Sequence, residues 1–236
     1  MRYLLLPIAL LLASSAAVAQ TPSPVQNLQN TLRGVGEPKP FRLKLSITEI
    51  KAWKTLTGGI GKDTVFLAMA MSPAGSNQAS YGSVAEDLYS LSQEDTSHPS
   101  LTITSAPVHD DATYAFVVLN GGATNRGSDG ARTAKLTAEN LVKYVADGSD
   151  FDWNKWKNKW FDLGNHGWVD ADGCDGLVAA HAGTVYITEF VPQLPYGAVK
   201  LDREVVQNNT DPAHDLNLSC NTASRYSVKY VLTTTP

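Results

Sequence analysis

Long apolar runs are scarce in this sequence. Tyr3–Leu12 is one of about ten residues, too short to cross a bilayer as a helix, and no later run is long enough. A membrane span is therefore not expected, and without an apolar C-terminal tail neither is a lipid anchor. No block of lysine or arginine occurs, so nucleic acid is not an expected partner, and the acidic residues are too dispersed to make an acidic tail. Histidine is sparse and scattered. His98, His109, His166, His181 and His214 include no pair at i, i+2 or i, i+4 and make no ligand set. No serine sits in a Gly-x-Ser-x-Gly elbow, which removes that nucleophile. No segment repeats. Cysteine is limited to Cys174 and Cys220.

What is present at the N-terminus is an export signature. Met1-Arg2 supplies a positive start, the apolar run follows, and Ala17-Val-Ala19 fits a small-x-small cleavage site. Residues 1–19 are expected to be a signal peptide, and the mature chain to begin at Gln20 as a secreted, extracellular and soluble protein. A new N-terminal histidine would suggest an oxidative copper site, and Gln20 does not supply one. Losing Arg2 leaves 18 basic and 23 acidic residues. Residues 20–40 carry Pro22, Pro24, Gly34, Gly36, Pro38 and Pro40 and read as a flexible arm. Residues 41–236 read as one β-rich domain.

Export places the two cysteines in an oxidising compartment, so Cys174 and Cys220 are expected to pair. The loop they close counts 47 residues with its ends, worth about 4 kcal/mol in the chain-entropy account. Asn208-Asn-Thr210 and Asn217-Leu-Ser219 are acceptor sequons in what reads as a surface loop between the cysteines. In a eukaryotic host both would be expected to carry glycan.

Period-2 patterns dominate the rest. Phe41–Thr48 alternates strictly, with one wet face, and Tyr226, Val228, Tyr230 and Leu232 share a face near the C-terminus. Thr64–Met71 and Thr113–Leu119 are apolar on both faces, as central strands are. Leu101–Thr104, Gly176–Ala180, Thr184–Phe190 and Ala198–Val206 add further strands, while Val84–Leu91 reads as strand or helix. Many short strands between turn signals predict a β-sandwich. Thr57–Asp63 reads as a turn. It has some likeness to a phosphate loop, but the first glycine is missing and Asp63 stands where Ser or Thr belongs. The run from Asn120 through Gly130 is rich in Gly, Ser and Asn and reads as a loop.

A helical insert is predicted over about 137–162. Thr137 fits an N-cap, Leu141, Val142 and Val145 an apolar stripe, and Gly148 a terminator. Trp153, Trp156 and Trp160 then fall at i, i+3 and i+7, within about 60° on a helix. Residues 150–176 hold four of the five tryptophans, Trp168 being the fourth. The bland reading of the stripe is core packing against a sheet. The sharper one is an exposed aromatic platform for a sugar ring, making Trp153, Trp156, Trp160 and Trp168 the candidate ligand-binding set.

The segments Leu45-Ser-Ile47, Lys62–Phe66, Tyr114–Gly121, Cys174–Ala179, Cys220-Asn221 and Tyr226–Val228 appear in an order that resembles a group of secreted fungal and bacterial β proteins of no established activity. The resemblance covers most of 41–232. It implies one domain and carries over no catalytic residues.

Metal and acid–base chemistry have candidates but no pattern. Asp170, Asp172 and Asp175 resemble the start of a Ca²⁺ loop, yet every register of the EF-hand pattern fails. A non-standard calcium site would have to recruit Asp147, Asp150 or Asp152. The alternative is solvated turn aspartates, so no cofactor is expected. Glycoside hydrolysis needs two carboxyls roughly 5–9.5 Å apart, and no pair stands out. The expected function is a non-catalytic extracellular or cell-surface binding protein with a glycan ligand. The alternatives are a polysaccharide hydrolase using carboxylates near the Trp/Asp stretch, and a structural wall or matrix protein.

Overall fold

The alternation that begins at Arg42 continues for thirteen residues in the computed structural model, as strand β1 (Arg42–Lys54). The described residues are 42–57, 61–73, 82–105, 107–108, 111–121, 128–156, 174, 176–186, 200–210 and 223–235. β1 is the centre of a five-stranded antiparallel sheet. On one edge it pairs with β4 (Thr96–Ser97) and β5 (Thr102–Thr104). On the other lies β9 (Ala223–Thr235), and beyond it β8 (Lys200–Thr210). A second antiparallel sheet has the order β3 (Gly82–Leu91), β2 (Asp63–Pro73), β6 (Ala112–Asn120), β7 (Gly176–Val185). The fold is an all-β sandwich with a helix.

The inner strands of the second sheet, β2 and β6, are dry on both sides, which is why they are apolar at successive positions. Val65, Leu67, Met69 and Met71 join Tyr114, Phe116 and Val118 in the core facing the first sheet. Leu43, Leu45, Ile47, Tyr226, Val228 and Tyr230 meet them there. The intervening Phe66, Ala68, Ala70, Ala115, Val117 and Leu119 face helix α1 (Ser128–Ala146) and its Ala134, Ala138, Leu141 and Val142. Each fully buried Leu or Val is worth about 1.5–3 kcal/mol relative to exposure. The alanines on both partners let helix and sheet approach closely.

That closeness explains where the helix begins. It starts at Ser128, not at Thr137. Thr137 is an interior residue, 2% exposed, whose Oγ1 donates to the Thr133 carbonyl at 2.8 Å. The glycine that made the preceding run look like a loop, Gly130, lies in the helix against Phe66. A Cβ there would stand 2.4 Å from the ring. The end was legible: Gly148 has φ +84° and donates to Val145 O at 2.9 Å, a left-handed stop that other residues resist. A short second helical turn covers residues 153–156. Asp152 starts it, its Oδ1 accepting from Lys155 N at 2.8 Å. The rest of the expected insert, 157–162, is outside the described residues, as are the signal peptide and the arm.

At one side of the sandwich, the side chain of Gln207 on β8 joins the two sheets. Its Oε1 accepts from Ala180 N on β7 at 2.6 Å, and its Nε2 donates back to Ala180 O. β8 runs beyond the expected Val206 to Thr210, so Asn208 belongs to a paired strand and not to a loop. Gly176–Ala180 belongs to the same strand that continues to Val185.

Gly130→Ala is expected to destabilise the protein by about 1–3 kcal/mol, because the methyl group overpacks a ring that has nowhere to go. Thermal unfolding checks it. An unchanged Tm would mean that helix α1 does not rest on Phe66.

Candidate ligand groove

The tryptophan that stands outside the 150–176 cluster marks the groove. Ala52 pairs with Tyr226 and Lys54 with Arg225, so the register slips and Trp53 is an extra residue in β1. Such a bulge re-aims side chains. Trp53 and Lys54 both line a groove of about 460 Å³, together with Glu94, Asn208, Ser224 and Arg225. Lys54, Arg225 and Asn208 form one row across β1, β9 and β8.

The indole is held in place. Trp53 Nε1 donates to Ser227 Oγ at 3.2 Å, and Lys51 Nζ stands 3.5 Å from the ring centroid. The Arg225 guanidinium carbon is 5.6 Å from the same centroid. Lys51 also reaches Glu94 Oε2 at 3.5 Å. Glu94 has φ +68°, a conformation that costs a glutamate energy and persists because Glu94 N donates to Ala52 O at 2.6 Å. Ser224 is 2% exposed, and its Oγ has no hydrogen-bond partner among the described residues.

Of the candidates named from sequence, Asn208 lines the groove, and Trp153, Trp156 and Cys174 do not. Trp156 is 1% exposed and packs in the helix-side core, 5.4 Å from the Tyr144 ring. It cannot stack on a ligand and leaves the ligand-binding set; the physical reason is that its stripe faces the second sheet. Trp153 is half-buried, and its Nε1 donates to the Asn208 carbonyl at 3.2 Å, on the strand that borders the groove. Trp160, Trp168, Asp170, Asp172, Asp175, Cys220 and Asn217 lie outside the described residues. Asn208 is exposed. Cys174 is 3% exposed and has φ +57°; its carbonyl accepts from Asn120 Nδ2 at 2.7 Å. Among the described residues no group of three or more His, Cys, Asp or Glu could hold a metal. Among them, too, no helix is long and apolar enough to cross a membrane.

Three titratable groups line no part of the groove: Asp63 and Tyr226 are fully buried and His181 is half-buried. Asp63, 0% exposed, ends the turn once compared with a phosphate loop. Its Oδ2 accepts from Leu56 N at 2.9 Å and from the Tyr226 hydroxyl at 2.5 Å, and its Oδ1 from Thr57 N at 2.8 Å. Burial pushes the carboxyl above its usual range, and these donors pull it part of the way back. Burial and the carboxylate together push Tyr226 well above the usual phenol value. His181 sits among the rings of Tyr114, Phe116, Phe151 and Tyr230, with centroids at 6.0, 5.9, 5.3 and 5.7 Å. Its Nε2 is 3.5 Å from Tyr114 Oη, which is 3.0 Å from Tyr230 Oη. Burial pushes the imidazole down to about 4.

Sequence reasoning missed Trp53, Asp63 and His181. Trp53 did carry a signal, a lone tryptophan between Lys51 and Lys54 at the end of a strict period-2 strand.

No protein-family model matches the chain, and no curated protein does. Among solved structures, the secretin-domain β-barrel of InvG from the Salmonella SPI-1 injectisome aligns at 11% identity over 89% of this chain, with a TM-score of 0.15. This chain spans 64% of the length of that one. A second structure of the injectisome secretin InvG aligns at 10% identity over 91% of this chain and 67% of that one, again with a TM-score of 0.15. Scores this low do not establish a shared fold, and nothing about this protein follows from them.

The half-buried histidine generates an acid sensitivity. Its pKa in the fold lies below the unfolded value of 6.5, so its contribution to stability is complete above pH 6.5 and is lost as pH falls towards 4. The loss amounts to about 3 kcal/mol at most. Urea midpoints at pH 7 and pH 4.5 are expected to differ more in the wild type than in His181→Gln. Equal differences would show that His181 is not the group responsible.

Proposed function

We propose that this chain is a secreted, non-catalytic binding protein that takes a glycan in the groove at Trp53. The observation that carries the reading is the indole fixed by a β-bulge on the outer side of the first sheet, in a groove bordered by an amide and two cations. An aromatic face suits the apolar face of a sugar ring, and amide and charged groups suit its hydroxyls. Hydrolysis would require two carboxyls at about 5–9.5 Å. The groove contributes Glu94 alone, and Lys51 is bound to it. Nothing among the described residues favours the hydrolase alternative, and a groove of this size weighs against a purely structural role.

Export through residues 1–19, a Cys174–Cys220 disulfide, and glycan attachment at Asn208 and Asn217 in a eukaryotic host belong to the same proposal. Burial of Cys174 supports the disulfide. Alkylation of the unreduced, unfolded protein should leave its mass unchanged; a gain for two thiols would refute the bond. A glycan on Asn208 would stand at the rim of the groove, so binding is best measured on Asn208→Gln as well as on the wild type.

Trp53→Ala is expected to lose at least tenfold in affinity across a panel of soluble polysaccharides, with Tm unchanged. Trp156→Ala should instead cost about 3–5 kcal/mol of stability, as truncation of a buried aromatic does. Full binding by Trp53→Ala would sink the assignment of the groove.

A further inference from the structure

The sequence carries a net charge of −4, yet the groove is locally positive. Its one carboxylate among the described residues, Glu94, is engaged by Lys51. Lys54 and Arg225 have no carboxylate partner among the described residues, and they are direct cross-strand neighbours. Opposed like charges on adjacent strands destabilise a sheet, since their side chains stand about 5 Å apart. The repulsion would be relieved by an anion lying between them. The guanidinium favours an acceptor with two oxygens, because its N–H groups form a planar fork matched to carboxylate. Asn208 follows Arg225 in the same row, and Trp53 flanks Arg225 on the bulged strand. Read along the row, the groove presents ammonium, guanidinium and amide, with an indole beside the two cations.

We infer that the groove is selective for an acidic sugar, a hexuronate unit whose carboxylate lies between Lys54 and Arg225. The ring packs against Trp53, and its hydroxyls reach the Asn208 amide. The inference rests on the glycan reading above and adds to it the charge of the ligand and the residues that read that charge. Specificity then comes from the two cations, and affinity for the sugar body from the indole.

Calorimetric titration of the full mature protein separates the two claims. The probes are trigalacturonate and its methyl ester, which keeps the rings and loses the charge. The free acid is expected to bind at least tenfold more tightly than the ester. Arg225→Gln and Lys54→Gln should each erase most of that preference, weakening the acid far more than the ester, without lowering Tm. Trp53→Ala should weaken both probes alike. Equal binding of acid and ester would overturn the acidic-sugar inference and leave the glycan reading standing. Binding of neither probe would overturn both. Sodium sulfate that binds as tightly as trigalacturonate, and equally well to Trp53→Ala, would show a site that reads charge without sugar and would also overturn the inference.

Discussion

The whole arrangement depends on the inner strands of the second sheet, β2 and β6, having no wet face. β2 and β6 can be apolar at every position only because the first sheet covers one side and helix α1 the other. Neither sheet could remain exposed on its core side at tolerable free energy, given about 25 cal/mol for each Å² of apolar surface returned to water. The helix is therefore a third layer of the fold and not an ornament on a sandwich. Its small residues follow from the same demand: Ala134 and Ala138 face Ala68, Ala70 and Ala115, and Gly130 admits the Phe66 ring.

With one sheet enclosed, the outer face of the other is left to meet solvent. It is polar and carries ion pairs such as Lys229–Glu49 at 2.9 Å, where the lysine hydrogen bond holds the Glu49 carboxyl below its usual range. Pairs this exposed contribute little to stability. Trp53 stands on that face as a large aromatic among charges, and a bulge puts it there. The buried polar groups serve a different purpose. Asp63 fastens the turn after β1 to Tyr226 of β9, and Gln207 fastens β8 to β7. Each is satisfied by hydrogen bonds that would be expensive to break, since a buried charge or amide left unpaired costs far more than the bond gains.

Much of the fold could be read from residue periodicity, because periodicity reports burial directly. β1 and β9 alternate, β2 and β6 do not, and the difference is that between one dry face and two. Gly148 ended a helix as its freedom at positive φ suggests. The start of that helix could not be read, because Gly130 answers to Phe66, sixty-odd positions away in sequence, and not to local propensity. Helical spacing offered Trp156 both a packing role and a place on an exposed platform, and its ring lies in the core. The groove was less legible. It is assembled by β1, β8, β9 and the turn at Glu94, and the side-chain direction of Trp53 depends on a bulge that no period reveals. His181 looked isolated for the same reason: the rings around it come from β6, β9 and the segment after α1.

The central claim is that recognition happens on the outer face of the first sheet, at Trp53, and that Trp156 serves to pack. Amide and indole chemical-shift mapping with saturating trigalacturonate tests it most directly. The account predicts shifts at the Trp53 indole N–H and at the backbone amides of Lys54, Asn208 and Arg225, with the Trp156 indole unmoved. Shifts confined to residues 157–173, with Trp53 silent, would contradict it.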